Sequence, residues 1–123
     1  MLLIDALVAH TDDACTCVKT FRAGDPLVEG AGVSALVVIE LFAQTAAAHF
    51  GYAGLIRGGP MASGALLGTR RIDLVHGALP LGEAITIEVR RVMAIPPMAQ
   101  FECEATLGGR VIASGTINVA MGG

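Results

Sequence analysis

The sequence predicts an α+β domain in which an antiparallel sheet of about five to six strands wraps around one long central helix. Three observations predict it. The run from Ala35 to Phe50 is apolar on almost every side, as in a helix that is buried all round. Strand-like segments with period-two alternation precede and follow it, and those after it come in close succession. Hydrophobic residues make up 54% of the 123 residues and charged residues only 15%. That is enough for one core, with apolar surface left for a second copy to cover.

Taken in order, Leu2 to Ala9 reads as a first extended segment. Ala14 to Phe21 reads as a strand of small and β-branched residues. Ala23-Gly24-Asp25-Pro26 breaks the chain, and Gly30-Ala31-Gly32 is a flexible approach to the helix. Ser34 is a candidate N-cap and Gly51 a candidate stop. The helix between them would be roughly 24 Å long at 1.5 Å per residue. Val37, Val38 and Ile39 weaken its propensity, and the alanines that follow restore it. Leu55 to Ser63 is a loop rich in glycine and proline.

Strands follow at Ala65–His76, Ala84–Met93, Ala99–Leu107 and Arg110–Val119. Leu79-Pro80-Leu81-Gly82, Pro96-Pro97 and the hairpin signal Gly108-Gly109 separate them. In Ala84–Met93, Ile85, Ile87 and Val89 share one face, and Thr86, Glu88 and Arg90 the other. Residues 1–123 therefore read as a single domain without repeats or linkers. One helix covers only part of such a sheet, so a free edge is expected to pair with a second copy in a dimer or higher homo-oligomer.

The composition also excludes. A net charge of −3 argues against nucleic acid as a partner. No run of like charges suggests a membrane-binding patch. The apolar helix falls short of the ~20 residues a span needs and carries Glu40, Gln44 and His49. Met1-Leu2-Leu3-Ile4 lacks a basic leader, so a cytoplasmic location is expected. Cys15, Cys17 and Cys103 are odd in number and form no C-x-x-C pair. They read as small core fillers in a reducing compartment, with no metal site and no cofactor expected.

Chemistry is concentrated on the helix. A carboxylate in an apolar helix is costly unless it is paired or protonated, and Glu40 sits between Ile39 and Leu41. Gln44 lies one turn on, about 40° round the same face. The pair reads as a general acid/base with an amide that positions it, or as a buried carboxylate satisfied by a structural bond. Burial is expected to favour its protonated form. His49 lies about 180° away from Glu40 and is expected near the helix end, against the dipole. His10 reads as a surface loop residue. His76 falls on the apolar side of its strand with Ile72 and Leu74, either as a catalytic group or as a core histidine. Of the adjacent Arg70 and Arg71, only one is expected to point outward. With Arg57 it would form a positive rim for an acidic carrier protein.

At ALVVIELFAQTAAAHFG the chain resembles the 3-hydroxyacyl-[acyl-carrier-protein] dehydratases of the hot-dog superfamily. Leu36, Ile39, Glu40, Ala43 and Gln44 match that family's helix motif. MLLIDALVAH resembles its opening segment and LPLGEAITIEV its turn and following strand. The likeness is greatest to the short branch associated with aryl-polyene and polyketide-type synthesis. Two departures stand out. The family's catalytic histidine precedes the helix, where this chain has Glu29-Gly30-Ala31-Gly32-Val33, shorter and without histidine. The family's Pro-Gly at the helix start is Ser34-Ala35 here. The chain also begins where the family usually already has a Pro-His-Arg-like segment, so the natural start is expected upstream.

The resemblance implies dehydration of 3-hydroxyacyl thioesters carried on acyl carrier protein or coenzyme A. Glu40 and Gln44 would carry the chemistry, with His76 the candidate for the missing histidine. The backbone N–H groups of Ala35 and Leu36 would polarise the thioester carbonyl. An acyl-thioester hydrolase, or a non-catalytic acyl-binding subunit, are the alternatives.

Overall fold

Alternation builds the sheet. Ile85, Ile87 and Val89 are fully buried, while the alternate residues Glu88 and Arg90 are exposed. Phe101, Cys103 and Ala105 repeat the pattern on the next strand, against Glu102 and Glu104. Each strand therefore turns one apolar face inward and one polar face out. The computed structural model describes residues 3–25, 28, 32–56, 63–75 and 78–122, with side chains at all of these except 52–56, 63–67, 121 and 122.

The elements run β1 (Ala6–His10), β2 (Ala14–Thr20), β3 (Gly32–Ser34), α1 (Val37–Ile56), β4 (Ser63–Leu74), β5 (Ala78–Pro80), β6 (Ala84–Ile95), β7 (Met98–Leu107) and β8 (Arg110–Gly122). Six strands form one antiparallel sheet in the order β1-β2-β6-β7-β8-β4. The helix lies against this sheet, touching all six of its strands. Val38, Leu41, Phe42, Ala46 and Phe50 pack among Cys15, Cys17, Ile87, Phe101 and Ile117 in one core cluster. This is the expected sheet around a single helix, a hot-dog arrangement.

β3 and β5 form a separate two-stranded ribbon. The stretch Leu79-Pro80, expected only to turn the chain, instead supplies a strand, because Gly32 to Ser34 offers it a partner. A Cβ at Gly32 would come within 2.8 Å of the Leu79 carbonyl oxygen, so this close approach requires glycine. Gly108 and Gly109, at φ 58° and 79°, make the expected tight hairpin between β7 and β8.

The helix differs from expectation at both ends. Ala35 and Leu36 form a turn ahead of it. The N–H groups of Val38 and Ile39 donate to their carbonyl oxygens at 3.0 and 3.2 Å, so the entry is wound tightly, three residues per bond. At the far end the helix passes through Gly51 to Ile56. A helical glycine costs about 1 kcal/mol relative to alanine, too little to end a helix docked through buried Phe50. The helix is also not buried all round. Val38, Leu41, Phe42, Thr45, Ala46, His49 and Phe50 form the buried stripe, while Leu36 is 66% exposed and Glu40 is exposed beside it.

Arg70 and Arg71 are both exposed. The pairing of β4 with β8 shifts between Thr69 and Arg71, and the extra residue of this bulge breaks the alternation. Arg57 lies outside the described residues.

Candidate active site

The polar face of α1 carries the candidate site. Glu40 lies in the first turn, and one turn later Gln44 Nε2 donates to Glu40 Oε1 at 3.1 Å. That is the (i, i+4) contact that helical geometry places on one face. Gln44 is held from its other end, where its Oε1 accepts the backbone N–H of Leu3 at 2.6 Å. The expected pair of Glu40 and Gln44 is therefore brought together, and sequence reasoning missed its third member. Leu3 could not have been found from its side chain, because the group involved is backbone.

Glu40 is not buried, contrary to expectation. The argument from burial assumed a helix enclosed on every side. The sheet covers only one stripe, and Glu40 lies on the opposite one. The turn at Ala35 and Leu36 sits one helical turn before Glu40. Leu36 N–H is engaged by Ser34 Oγ at 3.3 Å, a long contact that makes Ser34 a loose cap. His76 lies outside the described residues, and so do Glu29, Gly30 and Ala31 before the helix.

The second polar station on α1 is different. His49 is 1% exposed, and its Nδ1 is buried without a hydrogen-bond partner among the described residues. Its ring stacks on His10 at 4.7 Å between centroids and meets Phe50 and Phe101 edge-on. His10 Nε2 lies 3.3 Å from the His49 carbonyl oxygen. Burial lowers the His49 pKa below its ordinary value, and the neighbouring His10 and Arg91 lower it further. Neither histidine sits where the sequence suggested. His10 ends β1 half-buried, and His49 is well inside the helix, because the helix continues past Gly51.

The three cysteines are free and buried, as expected of fillers. Contact with Cys17 and burial push the Cys15 thiol up, and burial with the nearby Glu102 pushes Cys103 up to about 12. These shifts hold the Cys15 and Cys103 thiols protonated, whereas the contact with Cys15 lowers the pKa of Cys17. A groove of about 480 Å³ opens on the outer face of the sheet, lined by Arg71, Asp73, Glu88, Arg90, Glu102 and Glu104 among others. Its arginines are already paired, Arg71 with Asp73 at 2.9 Å and Arg90 with Glu102 at 2.8 Å. It lies on the opposite side of the sheet from α1, so it is no part of the Glu40 site. Among the described residues no group of histidine, cysteine or carboxylate side chains could hold a metal ion, and no helix is long and apolar enough to cross a membrane.

The family model described as ApeP-like, ApeP dehydratase, matches residues 1–122. The chain belongs to the ApeP-like dehydratase family. No curated protein matches it in sequence. Among solved structures, the dehydratase heterocomplex ApeI:P from Xenorhabdus doucetiae superposes with a TM-score of 0.93 at 20% identity, covering 99% of this chain and 84% of that one. A hypothetical thioesterase with coenzyme A from Streptococcus pneumoniae matches with a TM-score of 0.68 at 16% identity, covering 96% and 85%. The PaaI protein from the phenylacetic acid degradation operon of E. coli matches at 0.74 and 11% identity, covering 96% and 79%. These two likenesses, at 16% and 11% identity, concern the fold alone. As an ApeP-like dehydratase, the chain is a 3-hydroxyacyl dehydratase-like lyase of the aryl-polyene type, and its reaction is dehydration.

Proposed function

We propose that this dehydratase acts on 3-hydroxyacyl thioesters carried on acyl carrier protein, in the cytoplasm. The site would be built on Glu40 and closed by a second hot-dog subunit. The observation that carries this reading is the placing of Glu40: a carboxylate fixed by Gln44 on the helix face the sheet leaves uncovered. Leu36, Ala43 and Ala47 flank it on the same face and are exposed or half-buried, so a partner there would exclude water from a largely apolar surface. Excluding water strengthens each electrostatic interaction with the reacting atoms.

In this reading the thioester carbonyl accepts from backbone N–H groups at the Ala35–Leu36 turn, displacing the long Ser34 Oγ contact on Leu36 N–H. Glu40 exchanges protons with the acyl chain: the proton beside the carbonyl leaves, the C–O bond to the 3-hydroxyl breaks, and that oxygen departs with a proton as water. An enoyl thioester remains. His76, or a histidine of the partner, supplies the second acid/base group in place of the one missing before the helix. Two assemblies suit the surface, a homodimer and a heterodimer. The similarity to the ApeI:P heterocomplex favours the hetero-assembly.

The test is to give the full chain 3-hydroxyacyl and plain acyl carrier-protein thioesters, first alone and then with an ApeI-type subunit. Enoyl-thioester absorbance and free thiol are followed together. Enoyl formation without thiol release, enhanced by the added subunit, is expected. Thiol release from plain acyl thioesters with no enoyl product would replace dehydration on the carrier with hydrolysis. Sedimentation of a stable monomer in both mixtures would refute the shared site.

A further inference from the structure

The amide of Gln44 can face Glu40 with either end, and the bond to the Leu3 N–H favours the donating one. A carboxamide has a donating end and an accepting end. A backbone N–H can only donate. Leu3 N–H, at 2.6 Å from Gln44 Oε1 and 41 positions away in sequence, therefore compels the oxygen to face Leu3. The NH₂ end is left to face Glu40. With the amide turned over, its oxygen would lie against the carboxylate, lone pair against lone pair. As arranged, Oε1 of Glu40 is anchored by a donor, and Oε2 makes no hydrogen bond among the described residues.

Leu3 is itself fixed. Its side chain is 5% exposed within the core. Two residues later, Asp5 fastens the segment to the end of β2 through three bonds. Its N–H donates to the Val18 carbonyl at 2.9 Å. Its Oδ2 accepts the Thr20 N–H at 2.7 Å, and its Oδ1 pairs with Lys19 Nζ at 3.2 Å. The Asp5 side chain is 46% exposed, so it fills no space in the core. Its contribution lies in where it holds the chain.

We propose that the backbone N–H of Leu3 and the carboxylate of Asp5 are positioning groups for dehydration: they turn the Gln44 amide so that it anchors Glu40 Oε1 and leaves Oε2 to exchange protons with substrate. This inference rests on the reading of Glu40 as the acid/base group. It assigns a positioning role to the segment that leads into edge strand β1.

The experiment uses the full chain in its active assembly, with the 3-hydroxyacyl carrier protein of the assay above. Leu3→Pro removes the N–H along with part of the core packing, and Leu3→Ala controls for the packing loss. Leu3→Pro is expected to lower kcat about tenfold, the worth of one well-oriented bond, with KM within about twofold. Leu3→Ala keeps the N–H and loses core packing, so it should lower the melting temperature more than the rate. Asp5→Ala should lower kcat, and Asp5→Asn, which retains an acceptor for Thr20 N–H, should recover most of the loss. The side-chain amide resonances of Gln44, assigned by NMR, should shift in Leu3→Pro and Asp5→Ala and stay in place in Asp5→Asn. This readout does not depend on turnover. Wild-type kcat and unmoved Gln44 resonances in both Leu3→Pro and Asp5→Ala overturn the proposal, provided that Glu40→Gln is inactive. A fully active Glu40→Gln instead overturns the underlying reading of the site. Should Leu3→Pro fail to fold, the Asp5 pair decides alone.

Discussion

Glu40 and His49 share one helix, and the molecule treats them in opposite ways. Glu40 is a charged group left on the exposed stripe with an ordered hydrogen bond. His49 is a titratable group pressed into the core with one ring nitrogen unpaired. An unpaired buried nitrogen costs stability, and here aromatic contacts with His10, Phe50 and Phe101 offset it. The carboxylate gains no packing and holds its geometry through Gln44 and Leu3. The contrast separates two purposes of polar residues on an apolar helix. Burial without complete pairing suits a structural residue, and exposure with an ordered bond is what the proposed role of Glu40 requires.

The sharpest break in that comparison is Glu40→Gln. Glutamine keeps the volume and cannot exchange a proton at neutral pH, so turnover should fall about 10²–10⁴-fold. Because the side chain is exposed, the melting temperature should stay near that of the wild type. A stability loss with an unchanged rate would make Glu40 a structural residue. His49→Ala should do the reverse. Emptying that place among Phe50 and Phe101 should cost about 2–4 kcal/mol by denaturant titration, while kcat per folded molecule holds.

A smaller effect follows from protonation. The folded-state pKa of His49 lies below its ordinary value of 6.5. The unfolded chain therefore takes up this proton first as pH falls. Stability from the neutral ring is complete above about pH 6.5 and is lost as pH drops from there to the folded-state value, at up to about 1.4 kcal/mol per pH unit. Urea midpoints measured across this range should slope in the wild type and flatten in His49→Phe. The least effect is expected on the outer face. Arg90→Ala breaks the pair with Glu102, but both side chains are more than half exposed. The cost should be under about 1 kcal/mol, and less in salt.

Much of this was legible in the residues. Period-two alternation in Ile85, Ile87 and Val89 assigned the buried face of β6, and the Gly108-Gly109 signal located a hairpin. The Glu40–Gln44 contact followed from helical spacing alone. What could not be read was environment. A helix rich in alanine looks apolar on every side, so the side that the sheet leaves bare is invisible in the sequence, and Glu40 was expected to be buried. The entry turn at Ala35, the persistence past Gly51 and the bulge at Arg70 are set by packing and pairing rather than by propensity. The Leu3–Gln44 bond joins a backbone group to a side chain across the fold, and no local pattern encodes such a pair.

The order of the strands has a consequence for how the chain reaches this state. β2 lies beside β6, and the Asp13–Arg91 contact at the end of that pairing spans 78 positions. Loop closure on that scale must precede any gain from the contact, so the central pairing is entropically late while α1 and the β7–β8 hairpin are local and early. The Leu3–Gln44 bond requires the N-terminal segment, the helix and β2 all to be in place. The amide that orients Glu40 is therefore set among the last contacts of folding, and a partly folded chain carries the carboxylate without its orientation. If Glu40 is the acid/base group proposed above, refolding monitored by turnover should lag behind refolding monitored by helix content.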